Sequence, residues 1–294
     1  MVLSLAGLRF RRAFEEDRGP VARLETGEIN VGGRPWHQVN AFLADSIRPN
    51  RNHELYSQAD GTGADPTWII ASHKAISEAM ERWAYYQTAA SPDAFLYGFD
   101  VDPTTNGMAA YPGLFARQAR KTARLEGVER AAVFAWWDGL LDGRVVETDW
   151  PETHAVILSP PGGAFVAIVF TRTQFGTYAF GNGASETISE AILKGYVEMG
   201  RHDRAVRRYL GQPIGTPPPA NLLERRALFF SSKEGFETFS DRLQRPAAKS
   251  IHRFEPICDR EIPGPWSQYA TVWRVVFRPP SDAFLSPNEN YFYW

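Results

Sequence analysis

A single cysteine, Cys258, stands in 294 residues. No internal disulfide can form and no cysteine-based zinc site can be assembled, which fits a reducing compartment and makes the cytoplasm the expected location. Excess charge is missing as well: 32 Lys and Arg stand against 34 Asp and Glu, a formal net charge of −2. Nothing therefore drives binding to nucleic acid or to an anionic membrane. Long apolar runs are absent too. The longest, such as Ala164–Phe170, have strand length, and the apolar start Met1–Leu8 meets Arg11-Arg12 after too few residues for a signal sequence. The six histidines (37, 53, 73, 154, 202 and 252) show neither His-x-x-x-His nor Glu-x-x-His spacing and read as structural. No Walker-type Gly-x-x-x-x-Gly-Lys run occurs, and Gly61-Thr-Gly63 is too short to count as a dinucleotide fingerprint.

What is present is an ordinary core-forming composition, 44% hydrophobic with 22% charged, enough to exclude a disordered chain. The chain is read as one domain over 1–294, with a motif-bearing core at about 58–202 and an extension at about 220–294 packed on it. Two short strands are expected about Gly32-Gly33 between Glu28 and Ser46, then a loop over Gln58–Gly63. A helix from Asp65 to Gln87 follows, with aspartate and proline at its start and Ile69, Ile76, Met80 and Trp83 on its apolar stripe. Asp102–Gly113 reads as a loop open to a ligand, Leu114–Asp138 as a helix, and His154–Arg172 as a buried β-hairpin. Phe180–Ser185 is expected as a glycine-rich loop before a helix over Ala191–His202. Gly211–Pro219 is the linker, and Leu222–Leu243 an amphipathic segment. Strands are expected near Ile251–Cys258 and Ala270–Phe277, and the aromatic end Asn290–Trp294 is expected to dock on the body of the protein.

One pentapeptide pattern occurs twice: Glu78-Ala-Met-Glu81-Arg82 and Glu126-Gly-Val-Glu129-Arg130. On a helix, Glu-x-x-Glu-Arg sets two carboxylates and a guanidinium on one side. A surface ion-pair ladder is the bland alternative and suits the first copy, where Lys74, Glu78, Glu81 and Arg82 fall opposite the apolar stripe. In the second helix Arg117, Arg120 and Arg124 take the natural solvent arc, whereas Glu126, Glu129 and Arg130 share theirs with Leu125, Val133 and Trp137. Buried carboxylates require partners or a cation, and Arg130 alone does not neutralise two. A third helix adds Lys194 and Glu198. Should the three converge, Glu78, Glu81, Glu126, Glu129 and Glu198 with Arg82, Arg130 and Lys194 make a magnesium–triphosphate cradle.

The order of these features resembles the YcaO family: a Gly-x-Gly segment, an Ala-rich helix with Glu-x-x-Glu-Arg, the Asn106-Gly-Met-Ala-Ala110 stretch, a second Glu-x-x-Glu-Arg, and a glycine-rich segment before a helix carrying a glutamate. The resemblance runs from about Gln58 to His202 and implies an α/β (α+β) fold of helices on a mostly antiparallel sheet, with ATP and Mg2+ between helices. It implies an enzyme that phosphorylates a peptide backbone amide, so that a nucleophile produces an azoline, thioamide or amidine in a ribosomally made peptide. It assigns Glu78, Glu81, Glu126, Glu129 and Glu198 to magnesium and names Glu129, Arg130 and Arg82 as catalytic. It adds Lys74, Asn106 and Lys194 to the nucleotide site. Lys74 replaces a serine of the family, Lys194 an arginine, and Thr62 a lysine. Neither a proline-repeat tail nor a leader-binding domain is expected. The implied partners are a precursor peptide and a protein that delivers leader peptide or nucleophile, and a homodimer is left open. The alternative is a non-catalytic relative that serves as scaffold or nucleotide sensor.

Overall fold

The computed structural model describes residues 6–14, 19–49, 53–112, 116–213, 215–247 and 253–294. Met1–Leu5, the starts of the elements expected at 114 and 251, Gly113 and His252 therefore lie outside the described residues. In chain order the elements are α1 (Ala6–Ala13), β1 (Val21–Val31), β2 (Arg34–Leu43), β3 (Gly61–Asp65), α2 (Trp68–Ala89), β4 (Met108–Tyr111) and α3 (Arg117–Trp137). Then come β5 (Gly143–Glu147), β6 (Thr153–Leu158), β7 (Phe165–Arg172), β8 (Tyr178–Ser185), α4 (Ile188–Leu210), α5 (Leu222–Phe230), α6 (Lys233–Gln244), β9 (Pro256–Glu261) and β10 (Thr271–Phe277). Among the described residues the strands form three sheets, ordered β1-β2-β3, β4-β10-β9 and β5-β6-β7-β8, with every pairing antiparallel. The α+β class expected from the sequence is the one observed.

The chain divides into two compact units: Met1–Arg51 with Gln58–Gly127 and Pro256–Phe277, and Asn52–Ser57 with Val128–Glu255 and Arg278–Trp294. In the first, Gly32 and Gly33 both take left-handed φ (58° and 82°), the turn geometry that matches the twist of a tight hairpin, and β1 and β2 extend well beyond the two short strands expected. The core gathers Phe10, Val39, Leu43, Ala75, Ala79, Met80, Trp83 and Trp266. Ile69, expected on the apolar stripe, is 62% exposed, because the buried side of α2 is set by its alanines lying on β3. In the second unit α4 covers β7 and β8 through Ala191, Met199 and Val169. The aromatic end docks as expected: Tyr291, Phe292 and Tyr293 are buried, and the buried Arg226 guanidinium donates to the carbonyls of Phe284, Ser286 and Asn288 at 2.8 Å each.

The two glycine-rich stretches expected as loops are strands, and the reason is packing. Gly61 and Gly63 on β3 lie against α2 so closely that a Cβ on either would run into the carbonyl of Ala75 or Ala71. Gly181 and Gly183 on β8 stand the same way against Gly195 and Ala191 of α4. Without side chains, strand and helix backbones come into direct contact. The correspondence continues at a constant offset of 120 residues: Ala64/Ala184, Thr67/Thr187, Ala71/Ala191, Lys74/Lys194 and Glu78/Glu198. Thr67 and Thr187 are both N-caps, so α2 starts at Trp68 and not at Asp65. The Lys74 ammonium donates to the Ala64 carbonyl at 3.0 Å and that of Lys194 to the Ala184 carbonyl at 2.8 Å. Each unit thus contains one copy of a glycine-strand and helix pair stapled by a lysine.

Candidate functional site

In the first unit the edge strand β3 offers an amide that no neighbouring strand takes: Thr62 N–H donates to Glu78 Oε2 at 2.8 Å. Arg82 reaches Glu78 at 3.3 Å and Glu81 at 3.6 Å. Glu81 is 8% exposed, so the first Glu-x-x-Glu-Arg copy is not a solvated ladder. Burial, reinforced by the charge of Glu126 on α3 and of Glu78, holds the Glu81 carboxyl well above the usual carboxylate range against the pull of Arg82. Burial works against the Arg82 charge in turn, but Glu81 and Glu78 outweigh it and raise that group further. Three carboxylates therefore bear on one another with Arg82 as their near cation.

Asn106 lies in the turn before β4, where its amide donates to Asp102 Oδ2 at 2.9 Å. That turn is pinned by Arg274 of β10, fully buried, which donates to the carbonyls of Asp102 (2.6 Å) and Thr104 (2.8 Å) and lies 3.6 Å over the Phe99 ring. Burial lowers the Arg274 pKa to about 10. Arg274 also tempers Glu81, a role the sequence reading missed; its only signal was a lone arginine in the apolar run Val272-Trp-Arg-Val-Val-Phe277.

In the second unit Glu129 is the most shielded of the motif carboxylates, its side chain 13% exposed. Burial raises it, Arg130 at 3.9 Å lowers it, and Glu198 raises it again, with Lys194 and the Ala184 amide of the edge strand β8 opposing. Glu198 is half exposed and its carboxylate accepts from Arg201 at 2.5 Å. Both units thus use an amide of a glycine-rich edge strand to hold a glutamate. The structure brings Glu78, Glu81, Arg82 and Glu126 together in one unit and Glu129, Arg130, Lys194 and Glu198 in the other. Sequence reading also passed over Tyr56 and Glu224, since neither stands in a repeated motif. Glu224, 1% exposed, accepts from the amides of Glu54 (3.0 Å), Leu55 (3.2 Å) and Tyr56 (3.2 Å) and from His53 Nδ1 (3.0 Å).

Among the described residues no three carboxylate, imidazole or thiol groups are already gathered at metal-binding spacing. The donor set nevertheless fits a hard divalent cation by its chemistry. It consists of oxygen donors, and the acidic charge around the buried Glu81 exceeds what Arg82 neutralises. Cys258 is buried, with its thiol pushed up by that burial, and its Sγ donates to the Arg274 carbonyl at 3.7 Å. No helix among the described residues is long and apolar enough to cross a membrane.

No family sequence profile matches the chain, and no curated protein sequence does. Solved structures do match. YcaO from Methanopyrus kandleri bound with AMPPCP and Mg2+ superposes with a TM-score of 0.56 at 16% identity, covering 95% of this chain and 92% of that one. The E. coli microcin synthetase McbBCD complex with pro-MccB17 bound gives a TM-score of 0.52 at 12% identity, covering 86% of each chain. A further structure of the E. coli microcin synthetase McbBCD complex gives 0.50 at 12% identity over the same shares. This chain has the YcaO fold.

Proposed function

We propose that the protein is an ATP- and Mg2+-dependent enzyme that activates a peptide backbone amide. The observation that carries this reading is the glutamate set on a YcaO fold, where the buried Glu81 is held well above its usual range by burial and Glu126. The neighbouring M. kandleri protein holds AMPPCP and Mg2+, and the microcin synthetase holds a peptide, pro-MccB17. In this chain Glu78, Glu81 and Glu126 are assigned to magnesium in the first unit, and Glu129 and Glu198 in the second. In the first unit Arg82 takes phosphate oxygens with Asn106 and Lys74 beside it, and in the second Arg130 does so with Lys194. ATP supplies the phosphoryl group that turns an amide oxygen into a leaving group. The chain's own contribution is placement: Thr62 and Ala184 amides orient Glu78 and Glu129, and Arg274 fixes the turn bearing Asn106. The product is an azoline, thioamide or amidine according to the nucleophile, the substrate is a ribosomally made precursor peptide, and a second protein delivers leader peptide or nucleophile.

Calorimetric titration of ATP, with and without magnesium, tests the reading beside Glu81→Gln and Glu129→Gln. Binding should require the metal and weaken at least ten-fold in each variant, the loss of about 1.4 kcal/mol expected when a charged ligand group is removed. Wild-type protein that is folded and binds no nucleotide under either condition refutes it.

A further inference from the structure

The two glycine-strand and helix pairs differ in what borders their sheets. In the second unit β5 pairs with β6 and the sheet has four strands; in the first it stops at β1, whose outer edge has no partner among the described residues. The registers show which residues correspond. Gly61 faces Ala41 and Ala41 faces Leu24, whereas Gly181 faces Val169 and Val169 faces Ala155. Leu24 therefore holds the place of Ala155, and Arg23, opposite Phe42, that of His154, opposite Phe170. On the far side Ala155 meets Val146 of β5 and His154 meets Glu147. The first unit has no counterpart of β5 among its described residues.

A groove of about 540 Å3 lies at the corresponding place, lined by Phe14 of α1, Leu24 and Thr26 of β1, and Trp68, Ile69 and Ile76 of α2. At the offset of 120 residues, Trp68 and Ile76 match Ile188 and Tyr196, which pack with Val146 of β5 against the core of the second unit. In the first unit Trp68 is instead 47% exposed, although its Nε1 donates to Thr26 Oγ1 at 3.3 Å. Exposed charges on an edge strand ordinarily ward off pairing, and Arg23 and Glu25, joined at 3.1 Å, are both more than half exposed. Their spacing also makes β1 complementary to itself. When two such strands run antiparallel with Leu24 opposite Leu24, each Arg23 faces the other copy's Glu25. The Leu24-Glu25 pair then repeats the Val146-Glu147 order of β5. A shift of the centre by one residue sets Arg23 against Arg23 or Glu25 against Glu25, so charge selects one register.

We propose that β1 is the surface on which a second copy of this chain docks, antiparallel about Leu24, so that two three-stranded sheets join into one of six. Leu24 of each copy fills the groove of the other beside Trp68, as Val146 does within the second unit. The inference is independent of the nucleotide reading above.

The test is sedimentation velocity across the micromolar range on wild type, Arg23→Glu, Glu25→Arg and the variant carrying both, with circular dichroism to check folding and no nucleotide present. Wild type should dimerise. Each single substitution should weaken the dimer at least about ten-fold, because two facing pairs turn from attractive to repulsive at once. The exchange of both charges should recover wild-type dimerisation, since every Arg–Glu pair is restored in reverse. Hydrogen exchange of wild type should show the β1 amides gaining protection as concentration rises, with those of β5 unchanged. Monomeric wild type throughout overturns the inference and leaves the edge to a strand of a different polypeptide. A dimer that neither single substitution weakens, or whose β1 amides gain no protection, overturns it in favour of another surface. Failure of the double exchange to recover affinity overturns the register about Leu24. Arg23 also lies 3.8 Å over the Phe42 ring; should Arg23→Glu not fold, Glu25→Arg and the exchange measurement decide.

Discussion

A histidine buried without charge reports on proton binding by the unfolded chain. His202 lies under Trp294, ring centroids 5.3 Å apart, with Nε2 2.9 Å from Ser231 Oγ, and burial lowers its pKa to about 4. In the unfolded chain the ordinary value of about 6.5 applies, so between these values the unfolded state binds the extra proton. Stability from this group is fully present above pH about 6.5 and is lost as pH falls towards about 4, with a limiting slope of about 1.4 kcal/mol per pH unit. Urea unfolding at pH 7 and pH 5 should show a smaller difference for His202→Gln than for wild type; equal differences would assign the acid sensitivity elsewhere. The structural reading of His202 was available from spacing alone. The importance of Glu224 was not, because a carboxylate whose donors come from amides some 170 residues away leaves no local pattern. Glu81 shows the converse. Its motif was plain, but burial depended on which side of α2 lies on β3, and that was decided by alanines and glycines too small to mark a hydrophobic stripe.

The helices α2 and α3 were legible within a few residues, since long periodic segments announce themselves; α4 runs on to Leu210, past the expected end at His202, the segment expected over Leu222–Leu243 is two helices, and neither α1 nor the glycine strands were foreseen. Gly61–Asp65 and Tyr178–Ser185 carry turn-forming residues, yet both are sheet edges because their bare backbones are what a helix packs on. Gly61→Ala and Gly181→Ala should each destabilise their own unit by about 1–3 kcal/mol, the usual effect of overpacking. Denaturant midpoints measure the loss, and hydrogen exchange on α2 or α4 locates it. Lys74→Met and Lys194→Met each remove one strand-to-helix staple. Loss of about 1 kcal/mol in unfolding experiments is expected from each. A fall in nucleotide affinity at unchanged stability would instead show that the lysines serve phosphate before structure.

At the scale of the whole molecule, the second unit is secured by its last residues. Phe292, 1% exposed, stacks on Trp137 at 5.4 Å and meets Phe230 and Phe239 edge-on or tilted at 5.0 Å. Phe292→Ala should remove about 3–5 kcal/mol. Amides of β6–β8 should then lose exchange protection while those of β1–β3 keep theirs; uniform loss would mean the two units unfold as one. The docking of this aromatic end was foreseeable from composition. The interleaving was not, because it joins residues 52–57 to 278–294 and 58–127 to 256–277 across most of the chain. That interleaving bears on biosynthesis. β10, the middle strand of its sheet, is made after nearly everything it pairs with, and Arg274 on it pins a turn made some 170 residues earlier. During synthesis both units therefore stay unfinished, with β4 waiting for β10 and the apolar side of β6–β8 waiting for residues 278–294, and such sequence-distant closure is slow. During that interval the nascent chain is a natural client for chaperones, and yield in a heterologous host should respond more to translation speed and chaperone supply than to the stability of the finished protein.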